Sequence, residues 1–230
     1  MDLAGMRLGV FGGTFNPIHY GHIHVARRVQ QLFGLSRTYF VVATTPPHKP
    51  GTNLVPFLHR YAMVSLAAAC SVCFIPSAME LDHPASPFSI DTMEKFARRN
   101  GGAAGLFFIA GGDSLLEVEG WHRGQEFLGR YNFIFVQRPG SSLGDPREIL
   151  PGKIASRVRD LRGLGSPKLR ERLRSEGAGR ARRIFIVDVG APEISATHIR
   201  QLAASGRRLG RFVPAPVVQY IQKLRLYGER

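Results

Sequence analysis

His19 and His22 stand three residues apart at the end of Gly12-Gly13-Thr14-Phe15-Asn16-Pro17-Ile18-His19-Tyr20-Gly21-His22, directly after the apolar run Leu8-Gly9-Val10-Phe11. With a helix starting at Gly21, that spacing turns both imidazoles toward the mouth of the loop. A strand that runs into paired glycines and then into a helix offers backbone N–H groups and a positive helix end to an anion. Two imidazoles beside it add donors for phosphate oxygens. Equipment of this kind suits phosphoryl or nucleotidyl transfer, where the protein positions the reactants and stabilises transition-state charge. Two histidines near a glycine turn also occur as caps or core residues. The G-G-T-F-N-P run in front of them argues for phosphate handling.

Four other clusters carry weaker signals. Ile109-Ala110-Gly111-Gly112-Asp113-Ser114-Leu115 is a second strand entering a glycine turn. Asp113 could accept ribose hydroxyls or cap the next helix, and the residues alone support both equally. In Ile194-Ser195-Ala196-Thr197-His198-Ile199-Arg200, Ser195 is a natural N-cap. With Thr197 and Arg200 it offers hydroxyls, helix N–H groups and a guanidinium to a phosphate, although alone it fits a capped amphipathic helix better. Pro46-Pro47-His48-Lys49 is a stiff loop presenting a cationic pair, or a plain surface turn. Trp121, the chain's single tryptophan, precedes His122. Its ring could stack on a base or a pyridine, or fill the core.

Elements must hold these loops in place. Runs rich in Val, Ile and Phe predict strands at Arg7–Phe11, Thr38–Ala43, Val72–Ile75, Leu106–Ala110, Asn132–Val136 and Ile184–Val187. Between them, amphipathic spacing predicts helices at Gly21–Phe33, Phe57–Ala69, Ile90–Asn100, Trp121–Leu128, Ala196–Ala204 and Ala215–Leu226. Strands alternating with helices are the pattern of an α/β protein with a parallel sheet. The rhythm breaks in a basic segment, 140–183, which holds Gly-Asp-Pro, Leu-Pro-Gly and Gly-Ser-Pro punctuation and a charged helical stretch at Pro167–Ser175. We expect one domain over residues 1–230, with 140–183 as a peripheral insertion.

The composition, 44% hydrophobic over 230 residues, supports one packed core. No apolar run is long enough to span a bilayer and no export signal opens the chain, so the expectation is a cytoplasmic protein with no membrane partner. The net charge of +14 concentrates between Arg138 and Arg183, where only Asp145, Glu148, Asp160, Glu171 and Glu176 oppose the cations. A positive field gathers phosphate-bearing molecules. That segment nearly lacks aromatics and holds no nucleic-acid module, which argues against a dedicated nucleic-acid partner. Cys70 and Cys73 lack the helix-start position of a redox pair and the extra ligands of a metal site, and are expected to be buried, reduced core residues.

Taken in order, G-G-T-F-x-P-x-H-x-G-H, P-P-H-K, G-x-D-S-L, W-H, R-P-G and I-S-A-T-x-I-R resemble the nicotinate-nucleotide adenylyltransferase family of the H-x-G-H nucleotidyltransferase superfamily. The resemblance runs from Gly12 to about Tyr227. It implies a Rossmann-like doubly wound parallel sheet with helices on both faces and a small C-terminal helical part. It also implies adenylyl transfer from ATP to nicotinate mononucleotide, releasing pyrophosphate, with Mg²⁺ held mainly by the ATP phosphates and no metal-ligating protein residues. The implied catalytic residues are His19, His22 and Arg200. The ATP site would use Gly12, Gly13, Thr14, Phe15, His22, Ser195, Thr197 and Arg200. The acceptor site would use Thr44, His48, Lys49, Ser89, Gly111, Asp113, Trp121, His122 and Arg138.

The chain departs from the family's usual pattern in four places. Asn16 stands where Asp is most frequent, Phe88-Ser89 replaces Tyr-Thr, Thr44 stands where Asn is often found, and Gly124 replaces an aromatic after the tryptophan. The last three touch the acceptor pocket and bear on the choice between acid and amide. The alternatives are adenylyl transfer to nicotinamide mononucleotide, kept open by Phe88-Ser89, or to phosphopantetheine, whose adenylyltransferase shares H-x-G-H. A homo-oligomer is compatible with the sequence.

Overall fold

The structure is a computed structural model that describes residues 6–45, 54–82, 85–137, 140, 143–150, 152–176 and 182–228. Seven strands form one sheet: β1 (Leu8–Gly13), β2 (Arg37–Val42), β3 (Phe74–Ser77), β4 (Leu106–Gly111), β5 (Asn132–Gln137), β6 (Val158–Asp160) and β7 (Ile184–Asp188). Their order is β3-β2-β1-β4-β5-β7-β6 and every pairing is parallel. The helices are α1 (Tyr20–Phe33), α2 (Phe57–Ala68), α3 (Ser89–Arg99), α4 (Gly124–Arg130), α5 (Pro146–Ile149), α6 (Gly152–Ala155), α7 (Ser166–Glu176), α8 (Ala196–Ala204) and α9 (Ala215–Lys223).

The apolar runs are explained by burial on both sheet faces. Along β4, Phe107 and Ile109 join the cluster under α1, α2, α7, α8 and α9. Leu106, Phe108 and Ala110 join the opposite cluster, under α3 and α4. The order in which strands are added reverses between β1 and β4, which are neighbours in the sheet although β2 and β3 lie between them in sequence. In such a sheet the crevice at the carboxyl ends of the two strands at this switch point is where ligands bind. Gly12 and Gly13 end β1, and Gly111 ends β4.

The basic segment differs from its expected form in one respect. Its residues 158–160 are an edge strand pairing with β7, so β6, α7 and β7 continue the strand–helix–strand rhythm. A three-residue edge strand needs few apolar side chains, and Val-Arg-Asp gives no periodic signal. Some of the segment's arginines serve the fold. Arg157 donates to the carbonyls of Leu128, Tyr131 and Arg182. Burial, with Arg182 and Arg183 nearby, pulls its guanidinium down to about 10. Arg162 donates to Leu143 O at 2.6 Å and Gly144 O at 3.2 Å while pairing with Asp160.

Two local expectations are corrected. Cys70 is exposed and Cys73 is half-buried, because α2 stops at Ala68 and both cysteines fall in the turn beyond it. The strand expected at Val72–Ile75 starts at Phe74, and Val72 is 94% exposed in that same turn.

Candidate active site

β1 delivers the chain to a loop in which Phe15 lies in the left-handed region (φ 47) and the Asn16–Pro17 peptide is cis. A bulky residue at positive φ is strained, and such strain collects at functional sites. The Phe15 ring is buried and meets His22 edge-on at 5.1 Å. It packs against the imidazole.

His19 is the N-cap of α1 and His22 its third residue. The His19 N–H donates to His22 Nδ1 at 3.2 Å, the His22 N–H donates to His19 O at 3.0 Å, and the ring centroids are 3.7 Å apart. The two rings thus form one unit at the positive end of α1. Gly21 permits this: a Cβ there would lie 2.9 Å from His19 Nδ1 and 3.6 Å from Pro192 O. The second of those contacts shows the segment leading to α8 running beside the start of α1.

Arg200 closes the arrangement. From α8 its guanidinium donates to Asn16 O at 2.9 Å and to Thr197 Oγ1 at 3.1 Å. Ser195 caps α8, accepting from His198 N at 3.4 Å, and Ser195 and Thr197 are both exposed. The sheet therefore brings Gly12, Gly13, Thr14, His19, His22, Ser195, Thr197 and Arg200 to one end of the molecule. Imidazoles, hydroxyls, helix N–H groups and a guanidinium form a donor set for phosphate oxygens.

The residues expected at the acceptor site divide. Gly111 and Asp113 follow β4, and Asp113 is exposed within the turn Gly112–Leu115. That turn is capped by Gly111 without a side-chain bond, so the Asp113 carboxylate is not its cap. Ser89 opens α3. Trp121 is half-buried against Phe108 and Phe127, with ring centroids 6.2 and 6.4 Å away. The exposed His122 ring stacks on Phe88 at 4.2 Å. The helix expected from Trp121 starts instead at Gly124, because Arg123 adopts the left-handed conformation (φ 53) and breaks it. His48, Lys49 and Arg138 lie outside the described residues.

Two residues not foreseen hold the loops. Arg60 of α2 is 1% exposed. It donates to Val55 O at 3.0 Å, Thr14 O at 2.9 Å, Ala43 O at 2.6 Å and Thr44 O at 3.2 Å. It thus rivets the loop after β1 to the loop after β2. Glu80 accepts from Thr44 N at 2.7 Å and Thr44 Oγ1 at 2.9 Å. Asn16 is held in turn by Tyr227, whose hydroxyl donates to Asn16 Oδ1 at 3.0 Å. Burial pushes the Tyr227 phenol well above its usual range, so it stays a neutral donor.

Burial also raises the Glu80 carboxyl, against the opposing pull of its Thr44 bonds, Arg60 and Lys95. A carboxyl raised in the folded state contributes stability that is complete at acid pH and is lost as pH climbs through the raised value. Accordingly, the wild-type unfolding free energy minus that of Glu80→Gln should fall as pH rises from about 4 to 7 in denaturant titrations. A pH-independent difference would show that burial does not govern this group.

A parallel α/β sheet with a glycine- and histidine-bearing loop at its switch point is the architecture of nucleotide-binding proteins. A family model described as cytidylyltransferase-like matches residues 10–202. A probable nicotinate-nucleotide adenylyltransferase of Pelobacter propionicus is 39% identical over 224 residues, covering 97% of this chain and 99% of that protein. One from Geobacter sp. strain M21 is 36% identical over 222 residues, covering 96% and 98%. Among solved structures, Plasmodium falciparum nicotinic acid mononucleotide adenylyltransferase complexed with NaAD superposes with a TM-score of 0.68 at 16% identity, over 96% of each chain. The chain belongs to the nicotinate-nucleotide adenylyltransferases of the cytidylyltransferase-like family.

Proposed function

We propose that the chain transfers the adenylyl group of ATP to nicotinate mononucleotide, giving nicotinate adenine dinucleotide and pyrophosphate. A phosphate oxygen of the mononucleotide attacks the α-phosphorus, and the bond to the β-phosphate bridging oxygen breaks as pyrophosphate leaves. No protein nucleophile is needed, because the substrate supplies it. The single observation carrying this reading is the tie from Arg200 to Asn16 O, which joins α8 to the histidine loop. It sets a guanidinium for the departing pyrophosphate beside imidazoles for the α-phosphate.

In this reading His19, His22 and the α1 N-terminus hold the α-phosphate, while Ser195, Thr197 and Arg200 hold the pyrophosphate. Asp113 faces a ribose, His48 and Lys49 serve the mononucleotide phosphate, Thr44 lines the acceptor pocket, and Arg138 contributes to the same ligand contacts. Trp121, Ser89 and the backbone near His122 receive the pyridine and its carboxylate. Mg²⁺, held mainly by the ATP phosphates, would lower the repulsion between two phosphates meeting in line. The guanidinium, hydroxyl and N–H donors of the loop suit phosphate oxygens and leave the ion to the polyphosphate and water. Among the described residues no helix is long and apolar enough to cross a membrane. The cytoplasm, where ATP and mononucleotides circulate, is the setting we assign.

Pyrophosphate release from ATP and Mg²⁺ tests the reading, with nicotinate mononucleotide, nicotinamide mononucleotide and phosphopantetheine run in parallel. The nicotinate compound should be preferred by a wide margin, since a carboxylate site rejects a ligand that leaves its donors unpaired. Faster turnover of the amide would keep the chemistry and overturn the pocket assigned to Ser89, Trp121 and His122. Turnover of none of the three would overturn the reading as a whole.

A further inference from the structure

Arg123 directly follows Trp121 and His122 and sits at φ 53, ψ 37 as the N-cap of α4. A side chain in that region is strained and persists only where its surroundings hold it. The next residue leaves the backbone no slack, because a Cβ on Gly124 would lie 2.2 Å from Val118 O and 2.6 Å from Glu119 O. The turn carrying Trp121 and His122 is therefore closed tightly on itself.

The Arg123 guanidinium reaches three carboxylates. It grips Glu126 in two-point fashion, Nε to Oε2 at 2.8 Å and Nη2 to Oε1 at 2.6 Å. It reaches α3 as well, with Nη2 to Glu94 Oε1 at 2.9 Å and Nη1 to Asp91 Oδ1 at 3.3 Å. Arg130 adds a bond to Glu94 at 2.8 Å, and Ser86 Oγ donates to Asp91 at 2.6 Å. Single exposed ion pairs contribute little, whereas a forked guanidinium inside a network has defined geometry. The partners matter because α3 begins at Ser89, and Phe88 just before it stacks on His122.

We propose that Arg123 is a positioning residue: its guanidinium locks the Trp121–His122 turn onto the start of α3 and so sets the acceptor pocket. It does this without touching substrate. The proposal rests on the acceptor assignment above and deepens it. Two walls of that pocket come from elements far apart in sequence, and Arg123 spans them.

The chain carries its own reporter. Trp121 is the single tryptophan, packed on Phe108 and Phe127, with Nε1 buried and lacking a hydrogen-bond partner among the described residues. Loosening the turn exposes the indole to quencher. The informative variants are Arg123→Gly, which keeps the left-handed backbone, Arg123→Asn, which also tolerates it, and Arg123→Lys, whose ammonium cannot fork across three carboxylates. In Arg123→Gly the KM for nicotinate mononucleotide should rise about tenfold while the KM for ATP stays within about twofold. Acrylamide quenching of Trp121 should increase, and Arg123→Lys should fall between wild type and Arg123→Gly in both measurements. Should Arg123→Gly not fold, Arg123→Asn takes its place. An unchanged acceptor KM overturns the proposal, as does an ATP KM that rises equally. If wild type itself turns over no nicotinate mononucleotide, the functional reading fails instead. Equal quenching of wild type and Arg123→Gly would then show that Arg123 does not hold the turn.

Discussion

His22→Ala is expected to lower kcat by about 10³ while the KM values for ATP and the acceptor move little, because the donor it would remove is proposed to act on charge that develops in the transition state. The geometry specifies which ring atom matters. The His19 N–H donates to His22 Nδ1, so the neutral ring carries its proton on Nε2, and Nε2–H is its donor toward a phosphate oxygen. His22→Asn retains a short side chain with an acceptor oxygen and an NH₂ donor group, and should recover part of the rate. The stability change is modest: one capping bond is lost, at about 1 kcal/mol. For a chain of 230 residues that lowers Tm by about 3 °C. Single-turnover kinetics beside a thermal melt separate the two effects. A kcat within tenfold of wild type would place the chemistry elsewhere.

The same residue shows how much of the site was legible in the sequence. His19 and His22 were readable because their partners lie within four residues, and local spacing decides what a helix N-terminus presents. Strands were readable where both faces are buried, as in β1, β4 and β5, since burial on both faces demands an apolar run. β6 was not, because an edge strand of Val-Arg-Asp draws its stability from pairing with β7 rather than from its own side chains. The start of α4 was displaced by the left-handed Arg123, a conformation held by carboxylates of α3 more than twenty-five residues earlier in the chain.

Long-range polar contacts form the other class that escaped, with one exception in principle. Arg60 occupies the same helical face as Met63, Val64 and Ala67, at spacings of three, four and seven. A charge on an apolar stripe is a signal that it meets polar groups inside the fold. The sequence carried that mark, but nothing local could say that the partners are Thr14 and Thr44. Glu80 carried no such mark, since it stands in a single short turn between β3 and α3.

Arg60→Met is expected to be the most destabilising single change in the site. The substitution keeps the bulk and removes every hydrogen bond, leaving carbonyls of the half-buried Val55, Thr14, Ala43 and Thr44 to find other donors. Each buried acceptor left unpaired costs about 1–3 kcal/mol. The losses do not add fully, and the variant no longer buries a cation whose desolvation already depresses the guanidinium. The net loss is about 4 kcal/mol, or about 10 °C in Tm for a protein of this size. Function should follow the geometry: on the proposed assignment Thr14 serves ATP and Thr44 the acceptor, so both KM values should rise in the fraction that stays folded. Arg60→Lys keeps a charge and up to three donors at one point, and should restore part of the stability but not the spacing of the two loops. A melt within about 2 °C of wild type for Arg60→Met would mean that the loops are held by other contacts. A KM effect confined to one substrate would mean that Arg60 holds one loop rather than joining two.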